Sequence, residues 1–393
     1  MKRFAVVLLL VLISISGFAQ QSQTLQTYLD AFESGSPDVK LQVLRRAQEE
    51  PAEEMSPLYL EAAEFLENNA GQVENSAAMR EMAQITAVGV REAGNVQALE
   101  ALRRVLESYR EPDMRASILR TLGEVGGDDD ETITWLRDWV SVRNNLQVGG
   151  NRPNTQVVRA AIDAMAEISD ESFFEPLLGA ALAQYSANIT TAAREAMYAL
   201  DGDIVQLAAQ SIGNRSPEEK LQAFAFLMDE DELTTEQKSG IAAAAIRDAL
   251  ATETRSRSTE DTLREVRFLA VEVISENEYS EATDAMISHF NQTFLEFDRG
   301  QVTRARVLDA IAGLGTMGTE TAAERLSRFL ELLNGYTEND RPYDTRIVMA
   351  TIRNLEQLGY PVAYNPLFYT SILEAYPSQV QTAAEEAMAA IQQ

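Results

Sequence analysis

Residues 112–127 read PDMRASILRTLGEVGG, and the reading of this stretch decides the fold. Proline at the mouth of a helix costs nothing, because the first-turn N–H has no intrahelical partner. Met114, Ile118, Leu119, Leu122 and Val125 then recur at helical spacing and form one apolar stripe. Ala116 is small enough to admit a neighbouring helix, and Gly126-Gly127 is expected to end the helix as a C-cap. Three aspartates and Glu131 follow, then a second apolar helix expected over 132–142, whose first turn the acids would cap.

The same unit recurs. Further helices of this kind open near Pro37, Ser76, Asn154, Ile189, Pro217, Leu263, Val302, Thr345 and Ser378. Second helices lie between them, as at 55–67, 96–109, 172–185, 238–252, 281–297 and 321–333. Spacings of roughly 34 to 42 residues are those of a stacked two-helix repeat. A longer period lies over the short one. Ser36–Gln42 matches Ser216–Gln222, Arg115–Gly126 matches Arg304–Gly315, Phe174–Leu177 matches Tyr364–Leu367, and Thr191–Met197 matches Thr382–Met388. The four matches are collinear and their offset only grows, as a tandem duplication would leave it. The expected fold is an all-α solenoid, or superhelix, of about ten helix pairs in two duplicated arrays, 20–201 and 202–393.

The Pro-Asp-x-Arg segment, followed by a helix ending Leu-Gly-x-Val-Gly, resembles the inner helix of a HEAT repeat. The likeness to HEAT/armadillo-like α-solenoids extends over essentially all of the chain after residue 19, although several repeats lack the proline or the terminal glycine. The resemblance implies a curved helical scaffold with an extended surface for binding other proteins.

Residues 1–19 read as a secretory signal peptide: Lys2 and Arg3 precede an apolar run from Phe4 to Ile15, and Gly17-Phe18-Ala19 makes a small-x-small cleavage site. The run is too short for a comfortable span, so export to the periplasm or cell envelope is expected, with no stable membrane insertion after cleavage. There is no cysteine, so neither thiolate chemistry nor disulfide folding is available. The net charge of −28 repels phosphate backbones, and no nucleic-acid partner is expected.

No cofactor, metal site or catalytic residue is expected. His289 is the only histidine, too few for a zinc site, and no nucleophile elbow accompanies it; a packing or helix-surface place is expected. Asp128–Glu131 lacks the EF-hand spacing. The cations near the heads of successive helices (Lys40, Arg80, Arg115, Arg159, Arg194, Arg267, Arg304) are expected to form a polar ladder with neighbouring carboxylates. Trp135 and Trp139, four apart, are expected in the core.

Two segments, 143–154 and 334–344, hold the same place in the two arrays and are read as loops, rich in Asn and Gly, with Arg-Pro before the next helix. Insertions of this kind tend to lie on one edge of a repeat array and to bind. Tyrosines gather in the C-terminal third, and tyrosine is enriched at binding hot spots. Arg152, Tyr336, Arg341 and Tyr343 are therefore the expected partner-binding residues. The expected function is a non-enzymatic exported scaffold for protein partners. The alternative is a helical α/α-type enzyme of the cell envelope, carbohydrate-processing or lyase-like, which would need paired carboxylates converging in a cleft.

Overall fold

The structure is a computed structural model that describes residues 23–73, 75–254, 256–339 and 343–391. The expected signal peptide, 1–19, lies outside the described residues, as does Arg341. No strand occurs among the described residues, and no helix there is long and apolar enough to cross a membrane. The chain divides into two compact units, the first ending at Gly202 and the second starting at Asp203.

Unit 1 contains α1 (23–34), α2 (Pro37–Ala47), α3 (Ser56–Asn68), the single turn α4 (Ala70–Val73), α5 (Ala77–Ala93), α6 (Leu99–Ser108), α7 (Pro112–Val125), α8 (Asp130–Val148), α9 (Thr155–Ile168), α10 (Phe174–Leu182) and α11 (Ala187–Tyr198). One layer runs α2 on α5, α5 on α7, α7 on α9 and α9 on α11; the other sets α3 on α6 and α8 on α10. Partners α3 and α5, α6 and α7, α8 and α9, α10 and α11 tie the layers together. Each helix therefore leans on neighbours close in sequence, and the unit is an all-α solenoid.

Unit 2 repeats the plan with α12 (Ile204–Gly213), α13 (Pro217–Met228), α14 (Thr235–Ala251), α15 (Arg257–Glu276), α16 (Thr283–Asp298), α17 (Arg304–Gly315), α18 (Glu320–Glu338), α19 (Thr345–Leu358), α20 (Tyr364–Ile372) and α21 (Ser378–Ile391). Its layers are α13, α15, α17, α19, α21 and α12, α14, α16, α18, α20, each packed in that order. Apart from α4, the two units match helix for helix. Short 3-10 turns lead into α6 and α10 in unit 1, and into α16 and α20 in unit 2.

The helix that begins at Pro112 shows how the sequence produces these elements. Glu111 caps α7 by accepting from the amides of Asp113 (3.3 Å) and Met114 (2.9 Å). Met114, Ile118, Leu119 and Leu122 are buried, as their spacing requires. Gly123 faces α9, where a Cβ would come within 2.7 Å of the Ala164 backbone. Gly126 follows the helix at φ −90°, so the left-handed turn expected of a glycine C-cap is absent. Glycine is needed there for space, because a Cβ would stand 2.5 Å from the Leu122 carbonyl. Asp129 caps α8 through the Thr132 amide (3.1 Å) and hydroxyl (2.6 Å).

The first part of each of two expected loops proves helical. The helix expected to stop at residue 142 runs on to Val148, and its counterpart α18 runs to Glu338. The reason is tertiary. Asn144, a weak helix former, donates from Nδ2 to the Pro176 carbonyl of α10 at 2.8 Å, and Asn334 does the same to Pro366 of α20 at 3.1 Å. A buried hydrogen bond between helices thus uses the asparagine that composition alone assigns to a turn.

Candidate functional site

The extension of α8 creates a site. Trp139, Arg143 and Leu146 stand four and three residues apart and share one face of the helix. That face, with Arg115 of α7, the loop residues 151–154 and Val157 and Val158 of α9, encloses a pocket of about 440 Å3. None of its lining residues is acidic, although the protein carries 61 acidic side chains.

Trp139 organises the pocket and is only 5% exposed. The Arg143 guanidinium lies 3.7 Å from the centre of the indole and the Arg115 guanidinium 5.6 Å from it, so two cations rest on one ring. Arg143 donates to the Trp139 carbonyl at 3.3 Å. Neither arginine forms an ion pair among the described residues. The carboxylate whose charge Arg143 feels is Glu107, which already accepts from Trp135 Nε1 at 2.9 Å. Burial pushes Arg143 down to about 10, and the Arg115 charge pushes the same way. Burial lowers Arg115 as well.

The buried polar atoms here lack acceptors. Arg115 Nε and Trp139 Nε1 are buried and unpartnered, as is the hydroxyl of Tyr185, which burial pushes up to about 12 and which feels the Arg143 charge. Unsatisfied buried donors beside unpaired cations are costly, and the group that would relieve them is an anion.

A larger hollow of about 770 Å3 shares Trp139 and Arg143 with this pocket, but five carboxylates line it: Glu100, Glu107, Asp130, Glu131 and Asp138. Arg103 pairs with Glu131 at 3.1 Å, and Arg104 pairs with Glu67 and Glu100. In unit 2, Glu296 accepts from Arg267 at 2.6 Å and pairs with Arg264 at 3.3 Å. The smaller pocket has arginines and no carboxylate in its lining.

The matching place in unit 2 makes the contrast sharp. Arg304, at the position of Arg115, pairs with Asp344 at 2.5 Å. Burial works against the Asp344 charge, but the bonds from Arg304 and the Arg346 amide hold its carboxyl below the ordinary range. Tyr343 lies 6.1 Å from Tyr336 in a stacked pair and 5.9 Å from Phe294, and its hydroxyl donates to Asp298 at 2.9 Å. Burial, then that bond, raises Tyr343 above its ordinary value. Phe329 stands where Trp139 stands, and Leu333 where Arg143 stands. Unit 1 has Pro153 and Asn154 in place of Tyr343 and Asp344, so neither the ring nor the carboxylate is supplied.

Of the expected partner-binding residues, Arg152 is exposed on the pocket wall. Tyr336 sits on α18, not in a loop, and Tyr343 is tied into the ring cluster. The expected ladder holds at Arg267 and Arg304, whereas Arg159 meets Asp163 of its own helix at 2.7 Å and reaches only the Asn188 amide oxygen of α11 at 2.8 Å. It fails at Arg115, because no acid faces it, and at Lys40, which donates to the carbonyls of Phe32 and Glu33. Trp135 is half-buried, not core, because it turns its N–H to Glu107. Arg115, Trp139 and Arg143 were missed as site residues, yet one signal was readable: the second array keeps an acid at Asp344 where the first has Asn154. Searches of protein-family models and of curated proteins found no match to this chain.

Proposed function

We propose that the chain is a non-enzymatic scaffold of the HEAT/armadillo kind, made by internal duplication and exported to the cell envelope, that holds a protein partner at the arginine pocket of unit 1. The observation that carries this reading is the unpaired state of Arg115 and Arg143 beside Trp139. A site that keeps two half-buried cations without a counter-ion is less stable than it need be, and such a cost is commonly retained where a ligand removes it. The rim supports a macromolecular partner: Val142 is 50% exposed and Leu146 41%, four residues apart along α8 beside the arginines. Arg and Trp are also the residue types that dominate interface energetics.

The test places a photo-crosslinking residue at position 146 in the cell that makes the protein. The expected result is a discrete protein adduct that disappears with Arg115→Gln and survives Arg328→Gln, a surface change in unit 2. An adduct indifferent to Arg115, or none at all, would remove the pocket from the function.

A further inference from the structure

Resting on the reading that this pocket is the partner site, we propose that its ligand is an aromatic residue followed by an acidic one in an extended peptide segment. Its carboxylate would sit between Arg115 and Arg143, and its ring against Trp139 and Leu146.

The protein itself supplies the precedent. Tyr343-Asp344 is such a pair, and it satisfies unit 2 from within: the carboxylate meets Arg304 at 2.5 Å, and the ring stacks on Tyr336, the residue at the position of Leu146. Both interhelical connections have the same length, residues 149–154 and 339–344, so the pair stands at the same distance before the next helix as Pro153-Asn154. Asn154 keeps the capping role, accepting from the Val157 amide at 3.2 Å, but it brings no charge. Pro153 brings no aromatic ring.

The pocket in unit 1 has the chemistry that accepts such a pair. Its unpartnered N–H groups, Arg115 Nε and Trp139 Nε1, need an acceptor. Two guanidiniums on one indole call for a planar anion, which arginine binds in a fork. Its volume, about 440 Å3, lies in the range of about 300–1,000 Å3 that encloses small ligands. The exposed edge at Leu146 leaves room for a chain to enter and leave.

The test uses the full chain and acetyl-Gly-Tyr-Asp-Gly-amide as probe. The protein has two tryptophans, Trp135 and Trp139, their rings 5.9 Å apart, so selectively excited tryptophan emission reports on this place alone. A saturable change is expected. Replacing Tyr by Ala or Asp by Asn in the peptide should each weaken binding about tenfold or more, as should Asn154→Asp or Arg115→Gln in the protein. Equal binding of the Asn peptide, or no response to the Tyr-Asp peptide, would overturn the assignment. So would inorganic phosphate or 4-hydroxyphenylacetate binding more tightly than the peptide, since that would make the ligand an inorganic anion or a small aromatic acid. If the peptides fail while the crosslink at position 146 still depends on Arg115, only the ligand class is wrong; if both fail, the pocket is not the partner site.

Discussion

Replacing Asn154 by Asp would give unit 1 the counter-ion that unit 2 already has. Asn, Asp and Ser are comparable helix caps, so the change adds a charge without removing the bond to the Val157 amide. In unit 2 the matching pair spans 2.5 Å between side chains that are 39% and 30% exposed. Partial solvent screening keeps such a pair near about 0.5–1 kcal/mol. A carboxylate at the head of α9 adds about 0.3–1 kcal/mol from the helix dipole. The expected gain is therefore about 1–2 kcal/mol, and for a unit of this size each kcal/mol raises the melting temperature by about 2–4 °C. Tryptophan emission is the assay, since both tryptophans lie in unit 1 and the melt then follows that unit alone. A double-mutant cycle with Arg115→Gln separates the two contributions, and the coupling should be about 0.5–1 kcal/mol. The new carboxyl should have a lowered folded pKa, as Asp344 has. Its stabilisation is then complete above the unfolded value near 3.9 and is lost as pH falls through the folded one. If the gain is as large in the Arg115→Gln background, the dipole explains all of it, and Arg115 never needed a partner.

Arg143→Leu, which copies Leu333, should stabilise unit 1 by about 1 kcal/mol after discounting for screening, while abolishing peptide binding. Because Arg143 is lowered to about 10 in the folded state, wild-type stability should gain as pH rises from about 10 towards the ordinary arginine value, and the variant should lack that gain. Asn144→Ala and Asn334→Ala should each cost about 1–3 kcal/mol in chemical denaturation, since each strips a buried interhelical bond to a proline carbonyl; no loss at either would mean the bond is incidental to the length of its helix. His289 is 1% exposed, edge-on to Phe268 at 5.7 Å, and burial pushes it down to about 3. Its ring protons should show no titration by NMR between pH 5 and 8 in the folded protein. Because the unfolded chain takes up this proton first, His289 should withdraw stability as pH falls from about 6.5 to about 3.

The succession of paired helices was legible without coordinates, because apolar residues at a spacing of 3.6 must be buried and a repeating unit can bury them only against its neighbours. Pro112, the stripe from Met114 to Leu122 and the acids at the head of α8 each do in space what their chemistry requires. Arg152 could be named from its Arg-Pro setting. What sequence periodicity could not carry was the end of α8. Asn144 looks like a turn residue until α10 offers it the Pro176 carbonyl, and only then do Arg143 and Leu146 become parts of a helix face. Nor could it tell a paired arginine from an unpaired one. Arg115 and Arg304 occupy matching positions, and local sequence gives both the same helical setting. Whether a carboxylate reaches them is decided by a residue some 40 positions further on, brought close by the packing of α7 on α9 and α17 on α19. Charge acts over a few ångströms in space, while pattern is read along the chain, and the pocket exists only where the fold brings the two together.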